Sequence, residues 1–168
     1  MTLVKGFLHS VPMRIGTPVG MTLCCNNMKK ILLIHGPNLN LLGKRNREHY
    51  GRLTLSEIEN LVRAKAGELG LEIEAFQSNH EGELIDWLQE KSAGADGVII
   101  NPGALAHYSY ALRDALADTG LPCVEVHLSD VENREEFRRV SVTAPVCKAK
   151  ISGKKELGYI EAIELLKN

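Results

Sequence analysis

Neither a paired-cysteine motif, nor a glycine-rich phosphate loop, nor a long apolar run occurs in this chain, and each absence closes a class of function. The four cysteines, Cys24, Cys25, Cys123 and Cys147, form no C-x-x-C pair and no metal-ligand spacing, which suits free thiols in a reducing cytoplasm rather than disulfides or a zinc site. No apolar run approaches the roughly 18 residues of a membrane span. Lys and Arg number 20 against 21 Asp and Glu, so there is no net basic field to hold nucleic acid or an acidic membrane, and any anion binding has to be local. With no P-loop, no G-x-G-x-x-G and no metal cluster, the expectation is a chain that works without cofactor or metal.

A length of 168 residues fits one domain able to bury its own core. Residues 1–27 stand apart from it. They carry scattered apolar residues interrupted at Pro12, Arg14, Gly16, Pro18 and Gly20, without the continuous apolar stretch of a secretory signal. Met21 and Met28 are alternative candidate starts, and the segment is expected to be a dispensable extension, disordered or non-native, with residues 28–168 forming a single α/β domain.

Within that domain, strand and helix patterns alternate. Residues 30–35, 97–101 and 122–127 read as buried strands, with residues 71–77 and 145–151 as two more. Helices are expected over residues 55–69, 81–93, 108–118, 134–139 and 156–166, the first announced by the capping-box pattern Thr54-Leu55-Ser56-Glu57. Five strands separated by helices predict a doubly wound parallel sheet, and the flavodoxin-like order 2-1-3-4-5 is the natural one at this length.

Three strand ends carry unusual polar clusters: His35-Gly36-Pro37-Asn38-Leu39-Asn40, Asn101-Pro102-Gly103, and His127-Leu128-Ser129. Parallel sheets bind ligands beyond the carboxyl ends of their strands, so Asn38, Asn101 and His127 are expected to converge. Tyr50 lies in a glycine-bounded polar loop with Arg45 and Arg47. A guanidinium near a phenol favours the phenolate and makes it a usable base, although such a tyrosine can equally cover an apolar edge. Glu125 and His127 share a strand face, where the carboxylate could fix the ring's tautomer and support its protonated form; a structural hydrogen-bonding histidine is the plainer reading. His107, two residues before a helix start, could bind ligand or cap. Arg134 and Arg138, four apart on a short helical pattern, could hold a carboxylate, or they could pair in solvent with Glu135 and Glu136.

Taken together, these clusters, with Gln77-Ser78-Asn79, Tyr50-Gly51 and Arg134-Glu135-Glu136-Phe137-Arg138, resemble the type II 3-dehydroquinate dehydratases from Met28 to Asn168. The resemblance implies a hydro-lyase that removes water in trans from 3-dehydroquinate to give 3-dehydroshikimate, a step shared by aromatic amino acid biosynthesis (the shikimate pathway) and quinate breakdown, through an enolate and without metal. By motif, Tyr50 would take the C2 proton, Arg45 would keep it ionised, Asn38 would hold a water against the enolate, His127 would protonate the leaving hydroxyl and Glu125 would orient His127. Asn101, His107, Leu128, Ser129 and Arg138 would bind the substrate. The family assembles as a dodecamer of trimers in which an aspartate matching Asp114 reaches a neighbouring subunit's site.

The chain departs from the family pattern at Asn46 and Arg47, where a glutamate and often a proline follow the arginine, and at residues 147–157, where a glycine-rich stretch is replaced. Two other readings compete. A flavodoxin-like flavin or receiver module would want a Ser/Thr/Gly-rich or acidic loop after the first strand, which Gly36-Pro37-Asn38-Leu39-Asn40 does not provide. A catalytically silent homologue would have no need to retain Tyr50, Arg45 and His127 together.

Overall fold

Ile31 to Ile34 are apolar at four consecutive positions and all fully buried, a pattern a strand shows only when both of its faces are covered. The computed structural model describes residues 29–167, and the expectation for residues 1–27 lies outside the described residues. Among these, the strands β1 (Lys29–His35), β2 (Leu71–Gln77), β3 (Gly97–Asn101), β4 (Cys123–His127) and β5 (Ala149–Ser152) run parallel in the order β2-β1-β3-β4-β5, the flavodoxin-like arrangement expected from sequence. The helices are α1 (Arg47–Tyr50), α2 (Leu55–Glu68), α3 (Glu81–Ser92), α4 (Tyr110–Asp118), α5 (Glu136–Arg139) and α6 (Leu157–Lys167).

The alternation of side chains along β1 divides the core into two layers. Ile31 and Leu33 pack with Ile58 and Val62 of α2 and Ala162 and Ile163 of α6, while Leu32 and Ile34 pack with Leu84 and Leu88 of α3 and Leu112 and Leu116 of α4. Each fully buried Leu or Ile contributes roughly 1.5–3 kcal/mol relative to exposure, so these layers make the sheet a rigid support for its strand ends. The capping box opens α2 as its sequence predicts: Glu57 N–H donates to Thr54 Oγ1 at 3.3 Å and Thr54 N–H donates to Glu57 Oε2 at 2.7 Å.

Three elements start two or more residues later than the sequence predicts, each for a local reason. Gly103–His107 forms a 3-10 turn, and Ser109 Oγ then accepts from Leu112 N–H at 3.0 Å, so α4 starts at Tyr110 rather than Tyr108. The segment expected to become strand at Pro145 instead makes a 3-10 turn over Ala144–Val146, because proline has no N–H to give a ladder, and β5 begins at Ala149. Arg134 is extended, at φ −117° and ψ −165°, and α5 is a single turn beginning at Glu136. No helix among the described residues is long and apolar enough to cross a membrane.

Candidate active site

The crevice opens where β1 and β3, neighbours in the middle of the sheet, send their chains in opposite directions. His35 and Asn101 stand opposite each other in the register, and Gly36 N–H donates to Asn101 O at 2.8 Å. This crossing needs glycine, since a Cβ on Gly36 would stand 2.3 Å from the carbonyl oxygen of Pro102. The chain then turns through Asn38, which is left-handed at φ 67° and whose N–H donates to Asn79 Oδ1 at 2.8 Å. Gln77 Nε2–H donates to the same Asn79 oxygen at 3.2 Å and to Gly36 O at 3.3 Å, so the end of β2 braces the turn after β1.

A pocket of about 130 Å³ lies over these turns. Ten residues given a candidate role in the sequence line it: Asn38, Arg45 and Tyr50 from the first cluster and the glycine-bounded loop after it, Asn101 and His107 after β3, and His127, Leu128, Ser129, Arg134 and Arg138 after β4. The expected convergence of Asn38, Asn101 and His127 is therefore present. Glu125 does not line the pocket but lies fully buried behind His127, and Asp114 stands exposed on α4 beside Arg113. Within its own chain Asp114 is not at the pocket.

One wall carries the phenol. Tyr50 is the last residue of α1, whose start is capped by the side chain of Asn46, accepting from Glu48 N–H at 2.9 Å; the departure from the family pattern at Asn46 thus supplies a helix cap. The Arg45 guanidinium lies over the Tyr50 ring, 3.7 Å from its centre, and Arg134 Nη1–H donates to the Tyr50 hydroxyl at 2.9 Å. Two cations therefore lie against one phenol. The sequence offers Arg45 and Arg47 for a place beside the phenol, and the resemblance implies Arg45. Arg134 is not offered that place because helical spacing is no guide to an extended residue; the signal available was its place after the Ser129 cluster, and Ser129 Oγ accepts from Arg134 at 3.4 Å.

At the end of β4 the lining residue His127 is backed by the buried acid Glu125. His127 Nε2–H donates to Glu125 Oε1 at 2.6 Å. Ser141 Oγ–H donates to Glu125 at 2.8 Å, and Thr143 Oγ1–H donates to its other oxygen at 2.5 Å. Burial pushes the Glu125 carboxyl up, but the hydrogen bond and charge of His127, together with the two hydroxyls, overcome it and hold the group below the usual carboxylate range. Ser141 and Thr143 carry no catalytic motif, and only the fold brings them to β4. With Nε2 committed to Glu125, the His127 nitrogen left to exchange a proton is Nδ1.

His107 lines the pocket beside His127. Its Nδ1–H donates to Val140 O at 2.8 Å, and its ring lies nearly parallel to that of His127, with centres 6.4 Å apart. Desolvation lowers its pKa, against the Val140 hydrogen bond and with help from the charges of His127 and Arg138, so it presents a neutral Nε2 acceptor. Arg138 lines the pocket while its Nε–H donates to Glu135 Oε2 at 2.8 Å, which combines the two readings left open for it in the sequence.

The family model described as dehydroquinase class II matches residues 29–167. The chain is 53% identical over 139 residues to a 3-dehydroquinate dehydratase of Dictyoglomus turgidum, covering 83% of this chain and 96% of that protein. It is 56% identical over 137 residues to one of Roseiflexus castenholzii, covering 82% and 87%. Among solved structures, a type II dehydroquinase of Butyrivibrio crossotus superposes with a TM-score of 0.82 at 48% identity, covering 84% of this chain and 99% of that one. With this fold, this switch-point pocket and these relatives, the chain belongs to the class II dehydroquinase family.

Proposed function

We propose that this protein is a hydro-lyase that dehydrates 3-dehydroquinate to 3-dehydroshikimate, with Tyr50 as base and His127 as acid. The observation that carries the division of labour is the presence in one pocket of a doubly cation-flanked phenol and a carboxylate-backed imidazole. The Tyr50 phenolate takes the C2 proton, and the electron pair of that C–H bond moves onto the ketone oxygen as an enolate. A water held by Asn38 donates to the enolate oxygen, which needs a preorganised dipole rather than a strong acid. The enolate then collapses, the C1–O bond breaks, and His127 Nδ1–H protonates the departing hydroxyl as water.

Asn101, His107, Leu128, Ser129 and Arg138 hold the substrate's hydroxyls and carboxylate in this reading. The neutral Nε2 of His107 suits a hydroxyl donor, and the Arg138 guanidinium suits a carboxylate. A homododecamer of trimers, in a cytoplasmic setting, would bring the exposed Asp114 of one subunit to the pocket of the next. The direct test is to add 3-dehydroquinate to purified protein and follow the absorbance of the conjugated enone. A steady rise is expected; a flat trace across the near-neutral range refutes the assignment.

A further inference from the structure

Behind the pocket, a line of buried polar groups runs from Asn101 away from the substrate. Asn101 Oδ1 accepts from Gly103 N–H at 3.2 Å. A backbone N–H can only donate, so the amide's orientation is settled and its Nδ2 is the atom that faces Tyr159. Nδ2–H donates to the Tyr159 hydroxyl at 2.9 Å, and the hydroxyl's own hydrogen, which meets no other acceptor among the described residues, goes to His35 Nδ1 at 3.3 Å. His35 must then carry its hydrogen on Nε2, an atom without a hydrogen-bond partner that points toward Glu59 Oε1 at 3.8 Å. His35 and Tyr159 are both fully buried, and burial lowers the His35 pKa to about 3, so the ring is neutral and its contact with Glu59 is not an ion pair. Every donor in the line points the same way, away from Gly103.

Such a line is costly to bury unless it does something, because its groups surrender water for one or two fixed partners each. Tyr159 sits on α6, far along the chain from any cluster the reaction uses, yet its hydroxyl meets the one pocket amide at the switch point after β3. We propose that Tyr159 is a positioning residue for substrate binding, fixed by neutral His35, which locks the Asn101 amide so that its second Nδ2 hydrogen and second Oδ1 lone pair are available to a substrate hydroxyl. The proposal rests on the dehydratase reading for its substrate, but its geometry does not. Without the Tyr159 oxygen the amide keeps only the Gly103 contact and can rotate away from the productive pose.

Two readouts test it. Tyr159→Phe removes one oxygen; KM for 3-dehydroquinate is expected to rise about tenfold, with kcat changed less than about threefold. The same change made in an Asn101→Ala background is expected to add nothing further to KM, since its effect travels through that amide. Unchanged KM in a folded Tyr159→Phe protein, or fully additive losses in the double variant, overturns the proposal. If Tyr159→Phe does not fold, His35→Asn, which keeps an acceptor near the Nδ1 position, is compared with His35→Ala, which does not; the Asn variant is expected to have the KM closer to wild type, and the reverse order overturns the proposal. Independently of any activity, nitrogen-15 NMR of the histidine rings is expected to show His35 neutral with its hydrogen on Nε2. A hydrogen on Nδ1 contradicts the line itself, whereas an inactive wild type with the expected tautomer contradicts only the dehydratase reading.

Discussion

Replacing Glu125 with glutamine changes one charge at a site where nothing else needs to move. The carboxylate is fully buried, lies 2.6 Å from His127 Nε2, and is held by the hydroxyls of Ser141 and Thr143, which can rotate to accept from an amide. On the proposed division of labour, what is lost is the anion that supports an imidazolium in the step where His127 gives up its proton. At an effective dielectric of about 20, two unit charges about 4 Å apart interact by about 4 kcal/mol, and the amide dipole restores part of this. A net loss of about 3 kcal/mol corresponds to a fall of roughly 10² in kcat. KM should move less than about threefold, because Glu125 does not line the pocket. Steady-state rates from enone absorbance, with a thermal melt to show that the variant is folded, provide the check. A folded Glu125→Gln protein whose kcat stays within about threefold of wild type would refute the claim that the buried carboxylate supports the acid.

Arg138→Ala should raise KM about tenfold while lowering kcat less, since a carboxylate clamp acts in ground and transition states alike; the opposite pattern would make Arg138 part of the chemistry. His35 gives stability a pH slope: its pKa drops from an ordinary 6.5 to about 3 in the fold. The unfolded chain takes up a proton below pH 6.5 that the folded chain refuses, so this stabilisation is complete above 6.5 and is lost as pH falls toward about 3. Denaturant unfolding from about pH 7 to about pH 5 should show wild type losing up to about 1.4 kcal/mol per pH unit more than His35→Asn, and equal slopes would contradict a neutral buried ring. A chain shortened to residues 28–168 should fold and turn over within about twofold of the full chain, as measured by the same absorbance assay, because the family match begins at residue 29.

The sheet order was legible because the three central strands are short apolar runs, each closed by a polar cluster, with helical periodicity between them. Local chemistry also decided what could be read of the pocket. Glu125 and His127 lie two apart on one strand, and their 2.6 Å contact follows from strand geometry. Ser141, Thr143 and Tyr159 reach the site only through tertiary packing, from residues whose own neighbourhoods hold no pattern, and no local rule points at them. Arg134 is the instructive middle case: it was noticed for a helical partnership with Arg138, yet it reaches the pocket from an extended backbone and meets the Tyr50 hydroxyl instead. The late starts of α4 and β5 likewise turn on Ser109 and Pro145, single residues whose effects depend on which donor they meet or lack.

Solvent-deuterium exchange at C2 of 3-dehydroquinate separates proton abstraction from loss of water, and so tests whether base and acid are different groups. If Tyr50 forms the enolate and His127 protonates the leaving hydroxyl, His127→Ala should still exchange the C2 hydrogen slowly while failing to dehydrate, and Tyr50→Phe should do neither. The phenol's loss should be the heavier of the two, beyond the roughly 10² to 10⁴ that an acid–base group contributes to rate. Exchange in Tyr50→Phe at a rate comparable to wild type would contradict the assignment of the base and move the search to another residue of the loop that carries Tyr50, first to His49, its neighbour on α1.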